Sequence, residues 1–384
     1  MHSKLVKFVR DLYQTQEFIP LHVPVFIGNE KEYLNQVIDS TFVSSVGAFV
    51  DKFEAHTAAF THSPRAIATV NGTAALHTAL HMANVRAGDL VLTQALTFVA
   101  TCNAIHQLGA QPVFIDIEPQ VFGLCPEATR AWLEENAHLD ADGQCRHKAT
   151  GARIQALVPM HTFGHSVQLM ELHALCEKWN LCLIEDAAES LGSYYQGQHT
   201  GTIGRFGVLS FNGNKIITTG GGGMLLCRNS EDGGAAKHLT TTAKQPHPYE
   251  FYHDQPGFNY RLPNLNAALG CAQMEQLDAR LSSKRRIAGL YNEFFAGSDY
   301  RFVKEPSYGQ SNYWLNAIYC PSVKARNELL EKTNAQGVMT RPVWQLMHRL
   351  PMYQHCLRGE LTNAEQAEAH LINLPSSALA KEFL

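Results

Sequence analysis

Short apolar runs alternate with longer amphipathic segments through the first two thirds of the chain, and this rhythm restricts the fold more than any other feature. Ala66 to Val70 reads as a strand, and Asn71-Gly72-Thr73 then opens a helix through Ala74, Leu76, Ala79 and Leu80. Leu90 to Thr93, Pro112 to Asp116, Ile154 to Pro159, Leu181 to Glu185 and Gly207 to Phe211 read as further strands. Helices over Val99 to Leu108 and Leu169 to Trp179 fall between them. Strands alternating with crossover helices predict an α/β fold with a mostly parallel central sheet and ligands at the carboxyl ends of its strands.

The rhythm changes near Gln273, where a long charged helix, Leu277 to Phe295, leads into mixed strand-like and helical segments. We read an N-terminal helix or arm over 1–24, a large domain over 25–272 and a smaller C-terminal α+β domain over 273–384. A chain of 384 residues is long enough for such a division. The polar insertion Asn136 to Arg153 carries Asp140-Ala141-Asp142-Gly143, a fragment of a calcium loop without its closing glutamate. Its Asp-Gly pair predicts a surface hairpin instead.

A formal charge of -4 gives no reason to expect nucleic acid as a partner. Nine cysteines without a Cys-x-x-Cys pair argue for reduced thiols and a cytoplasmic protein. The first residues lack the apolar core and cleavage site of a secretory signal, and no window has the roughly 18 apolar residues of a membrane span.

Lys215 follows Ser210-Phe211-Asn212-Gly213-Asn214 and precedes Gly220-Gly221-Gly222-Gly223. Asp186 ends another apolar run. A lysine leaving one strand and an aspartate leaving another suit pyridoxal phosphate (PLP): the amine forms a Schiff base and the carboxylate keeps the pyridine nitrogen protonated. Ser210 and the glycines suit a phosphate. A P-loop is disfavoured, because Ile216 stands where that motif has Ser or Thr. Each residue has a plainer reading. Asp186 and Asn71 are also good caps, Phe98 is also a good core residue, and helix N-termini bind anions only sometimes. His161 and His165 are four apart, but Gly164 between them suggests a turn, and no metal site is expected.

Five ordered motifs carry a resemblance. They are Asn71-Gly72-Thr73-Ala74-Ala75-Leu76, Thr97-Phe98-Val99-Ala100-Thr101, Glu185-Asp186-Ala187-Ala188, Ser210-Phe211-x3-Lys215 with its glycines, and Asn259-Tyr260-Arg261-Leu262-Pro263 before Asn266. Together they resemble the DegT/DnrJ/EryC1/StrS sugar aminotransferases, PLP enzymes of fold type I, the aspartate aminotransferase-like fold. The resemblance implies that Lys215 is the Schiff-base lysine and Asp186 the partner of the ring nitrogen. It implies that Phe98 stacks on the ring, and that Gly72, Thr73 and Ser210 hold the phosphate. Asn259 would reach the phosphate of a neighbouring subunit, which implies a homodimer with shared active sites.

Two residues depart from the family's pattern. Glu189, which the resemblance puts near the cofactor's phenolic oxygen, stands where Gln or His is usual, and Gly221 where Glu is usual. Some relatives have His in place of the lysine and dehydrate sugars, so Lys215 favours amine transfer. Phe18 to His22, Thr41 to Gly47, Pro159 to His165 and Leu239 to Lys244 look like the LegC-type branch. That branch implies an L-glutamate donor and a UDP-linked 2-acetamido-4-keto-6-deoxy sugar, on routes to legionaminic acid or bacillosamine. GDP- or dTDP-linked keto sugars are the alternative substrates, and a dehydratase or a non-catalytic regulator the alternative classes. Ser44, His161, Lys244, Arg341 and His348 are the candidate nucleotide-sugar contacts.

Overall fold

A computed structural model describes residues 1–380. Its centre is a seven-stranded sheet formed by β1 (Arg65–Thr69), β2 (Leu90–Gln94), β3 (Gln111–Ile115), β4 (Ile154–Val158), β5 (Cys182–Asp186), β6 (Phe206–Ser210) and β7 (Gly223–Cys227). The spatial order is β1-β7-β6-β5-β4-β2-β3. Neighbours from β6 to β3 pair in parallel, as the crossover rhythm predicts. The exception is β7, which runs antiparallel to both β1 and β6. Sequence reading misses this strand because its four apolar residues directly follow the glycine run.

Helix α1 (His2–Tyr13) fills only the first half of the arm read over 1–24, whereas α2 (Gly72–Met82), α3 (Val99–Gln107), α4 (Leu169–Trp179) and α5 (Leu277–Phe295) match the expected helices to within a residue or two. The N-terminus of α1 has no side-chain cap. Leu5, Val6 and Val9 hold it instead, packed with Ile287, Tyr291, Ile318, Val338 and Ile372. Each such burial contributes about 2 kcal/mol, so packing, not propensity, docks this helix onto the C-terminal part of the chain. Arg10 Nη2 adds a 2.7 Å hydrogen bond to the Gln336 carbonyl.

That C-terminal part builds its own four-stranded sheet, from β8 (Arg301–Phe302), β9 (Asn316–Tyr319), β10 (Arg341–Pro342) and β11 (Leu371–Leu374), in the order β8-β9-β11-β10. The insertion forms the expected hairpin, Ala137–Leu139 against Cys145–His147. Asp140 is committed to it: Oδ1 accepts from Asp142 N and Gln144 N, and Oδ2 accepts from Arg146 Nε. Among the described residues no helix is long and apolar enough to cross a membrane.

Candidate active site

Because β5 and β6 are parallel neighbours, with Asp186 opposite Val208, their carboxyl ends deliver Asp186 and the Lys215 loop to one place. Beyond β6 the chain is pinned by Phe211, whose N–H donates to Gly222 O at 2.8 Å and whose carbonyl accepts from Thr219 N at 3.0 Å. The Phe211 ring is buried edge-on against Phe53. Lys215 is thereby turned back over the sheet edge, into a cavity of about 370 Å³.

Asp186 closes one side of the cavity. Its Oδ2 accepts a 2.7 Å hydrogen bond from Thr101 Oγ1, and its Oδ1 accepts from Ala188 N at 3.2 Å. The residues after it form turns, so its local bond shapes a turn and does not cap a helix. The neighbouring Glu185 points away from the cavity. It is fully buried and accepts from the N–H groups of Gly201, Ile203 and Gly204, with His161 Nε2 3.0 Å from Oε2. Burial pushes its carboxyl up, but the bonds from His161, Gly204 and Gly201 outweigh it and leave it below its ordinary value.

The opposite corner is the start of α2. Asn71 Oδ1 caps the helix by accepting from Ala74 N at 2.7 Å. Gly72 packs against Ser210, and a Cβ on Gly72 would stand 3.1 Å from the Ser210 Cβ. Gly223 packs under the same turn: a Cβ there would come within 2.5 Å of the Asn71 carbonyl carbon. This close backbone approach opens a corner lined by Thr73, Ser210 and the positive end of a helix, a natural anion site. Phe98, Trp314 and Trp344 supply apolar walls.

Lys215 Nζ lies 3.4 Å from Glu189 Oε1 and 3.8 Å above the centre of the Trp314 ring. Glu189 is 2 % exposed, and its Oε2 accepts from Phe163 N at 2.9 Å. Burial, opposed by Lys215 and by the Phe163 N–H, pushes the Glu189 carboxyl up to about 7. Gly221, the other departure, lines the cavity with nothing within 4 Å of where a Cβ would be.

Of the residues singled out in the sequence, Gly72, Thr73, Phe98, Asp186, Glu189, Ser210 and Lys215 line this one cavity. Asn259 does not; it is exposed, and its Oδ1 accepts from Arg261 Nε. Ser44, Lys244 and Arg341 also lie off the cavity lining, Ser44 and Arg341 exposed and Lys244 with its Nζ over the Phe251 ring. His161 has to be withdrawn as a substrate contact. It is fully buried, held between Glu185 and the Val167 N–H. His348 is buried too, 9 % exposed and outside the lining. Trp314 and Trp344 were missed: they come from the C-terminal part of the chain, and nothing near them in sequence announces a site.

A primary amine, a buried carboxylate, an anion corner and an aromatic face in one cavity fit PLP, with its aldehyde, ring nitrogen, phosphate and flat ring. Fold and cavity together define a PLP-dependent transferase of fold type I. The chain belongs to the DegT/DnrJ/EryC1/StrS aminotransferase family, whose model matches residues 26–382. It is therefore a PLP-dependent aminotransferase. A GDP-perosamine synthase of Escherichia coli O157:H7 is 34% identical over 360 residues, 94% of this chain and 93% of its own. Among solved structures, the aminotransferase TlmJ from Streptoalloteichus hindustanus superposes with a TM-score of 0.84 at 25% identity, over 94% of this chain and 93% of its own. The Helicobacter pylori aminotransferase PseC shares the fold, with a TM-score of 0.83 at 22% identity over 94% of both chains.

Proposed function

We propose that the protein moves an amino group from L-glutamate to C4 of a nucleotide-linked 4-keto-6-deoxy sugar, a UDP-linked 2-acetamido sugar of the LegC-type branch being the first candidate. The observation that carries this reading is the convergence of Lys215, Asp186 and the start of α2 on one cavity. The GDP-perosamine synthase relative supports a GDP-linked sugar equally well. The branch motifs favour the UDP sugar and a place in legionaminic acid or bacillosamine synthesis. Nine unpaired cysteines support a cytoplasmic setting.

When bound, PLP supplies an electron sink for the carbanion left as a proton departs from an amine-bearing carbon. Thr73, Ser210 and the α2 N-terminus would hold its phosphate, and Phe98 would supply an aromatic face for its ring. Asp186, kept in place by Thr101 and Ala188, holds a proton at the pyridine nitrogen. Lys215 moves the reacting proton. It takes one from the α-carbon of glutamate in the first half of the reaction and delivers one to C4 of the sugar in the second. The walls formed by Trp314 and Trp344 keep water from the amine-bearing carbon.

We also propose a homodimer in which Asn259 and Lys244 serve the neighbouring subunit's cavity, because both lie off their own. Purified protein with PLP, L-glutamate and UDP-, GDP- or dTDP-linked 4-keto-6-deoxy sugars tests the reading. Release of 2-oxoglutarate with only one nucleotide identifies the substrate; no release with any of them refutes the proposal.

A further inference from the structure

Both groups that flank the Lys215 amine hang from one residue, Asn312. This asparagine is fully buried. Its Nδ2 donates to the carbonyls of Glu189 and Leu191 at 2.9 Å, and its Oδ1 accepts from Trp314 N at 2.7 Å. Its own N–H donates to Ser193 Oγ at 2.9 Å. Gly164, with φ +99°, leaves the space that Asn312 Oδ1 occupies. Trp314 is fixed twice more, by a 2.7 Å bond from its Nε1 to Asn214 O and a 3.1 Å bond from Lys284 Nζ to its carbonyl. The outcome is a slot with an indole face on one side and a carboxyl on the other.

The two oxygens of that carboxyl differ. Oε2 is occupied by the Phe163 N–H, whereas Oε1 faces the amine. A lysine acts as a base only when neutral, yet a free lysine near neutral pH is protonated. Its proton therefore needs an acceptor close by. A buried carboxyl whose proton affinity has been raised by burial is such an acceptor. The indole face attracts the ammonium before the transfer.

We propose that Trp314 and Glu189 form a receiving slot for the Lys215 amine each time it is released from the cofactor, and that Glu189 accepts the proton this amine must lose. One N–H bond of the ammonium breaks and one O–H bond forms on Glu189 Oε1, leaving a neutral amine beside a neutral acid. The inference rests on the reading of Lys215 as the catalytic amine. The other titratable groups facing the slot do not replace Glu189. Asp186 raises its proton affinity, and Lys215 lowers it. His22, on the N-terminal segment, has both ring nitrogens buried without a partner. Burial, with Lys284, Lys215 and Arg280, holds it well below its ordinary range. Burial likewise holds Lys284, on α5, well below its ordinary range.

The test follows the half-reaction of the holoenzyme with L-glutamate by loss of its long-wavelength absorbance, from pH about 5 to about 9. In the wild type the rate falls as pH drops through about 7, because Glu189 is then already protonated. Glu189→Gln loses the limb near 7 and keeps only one displaced to higher pH: it runs about 100-fold slower near neutrality and recovers only as pH rises toward the ordinary lysine range, about 10.4. Gln is common at this position in the family, so this variant is expected to fold and load cofactor. The pH midpoint of its absorbance without substrate also moves. Trp314→Leu is slower by about threefold to tenfold with the acid limb in place, and Trp314→Phe restores the rate. An unchanged acid limb in Glu189→Gln overturns the slot. Lys215→Ala separates the two claims: if it keeps both absorbance and turnover, the reading of Lys215 itself fails.

Discussion

Thr101 Oγ1 donates a 2.7 Å hydrogen bond to Asp186 Oδ2, so the helix that follows β2 orients the carboxylate that ends β5. Thr97 Oγ1 lies 3.0 Å from Thr101 Oγ1 and extends this support. Thr101→Val removes a bond to a charged group, a loss of about 2 kcal/mol. Turnover is expected to fall about tenfold or more with the fold intact, measured as kcat beside a circular dichroism spectrum.

Asp186→Asn leaves the shape of the site in place but, on the proposed reading, removes the charge that would keep the pyridine nitrogen protonated. Cofactor is expected to remain bound while the glutamate half-reaction slows by roughly 100-fold or more. Equal half-reaction rates in variant and wild type would leave Asp186 with its turn-forming role alone.

On the proposed reading, Lys215→Ala removes both the covalent anchor and the proton carrier. The purified variant is expected to lose the long-wavelength absorbance and to turn over at least 1000-fold more slowly, near the upper range for a missing acid–base group, about 10⁴-fold. Absorbance spectra and 2-oxoglutarate release report the two losses separately.

Glu185 works for stability. Its folded value lies below the ordinary one, so its contribution is complete above the unfolded value, about 4.3, and is lost as pH falls through the lower folded value. Thermal midpoints measured on descending pH should show this loss. Glu185→Gln leaves three backbone donors facing an amide, is expected to cost about 3 kcal/mol, and flattens the acid dependence.

Gly223→Ala sets a methyl against the Asn71 and Gly72 backbone. Overpacking of this kind costs about 1–3 kcal/mol. Because the strain falls on the anion corner, it should appear as at least tenfold weaker PLP retention, read by dialysis of the holoenzyme against buffer.

The sheet and the Lys215–Asp186 pair were legible because each is encoded locally: a strand, its end, and the residue just beyond. Glu189 was visible as a departure from a pattern, although its contact with Lys215 was not. Trp314 reaches the cavity, and Asn312 the Glu189 and Leu191 carbonyls behind it, through pairings between distant parts of the chain, which no local spacing records. His161 was misplaced for a related reason. Two adjacent residues at a strand end face opposite ways, and only packing decides which one meets the cavity. The strand β7 was hidden by the run Gly220 to Gly223, which reads as a loop although its last member, Gly223, starts a strand of the central sheet.

Those glycines make the cofactor a clasp as well as a reagent. Gly223 lies opposite both Thr69 and Ser210, so the end of β1 meets the ends of two strands well over a hundred residues further along the chain at one backbone point, where Gly223 contributes no side chain. A ligand seated over that point binds only when all three are assembled, and at a hundredfold excess over Kd it stabilises the fold by about 2.7 kcal/mol. Amide exchange should therefore slow first across β1, β6 and β7 on loading. Chains without cofactor are then expected to open there most often and to be cut first by an added protease, so that cofactor supply would set how much enzyme persists as well as how fast it works.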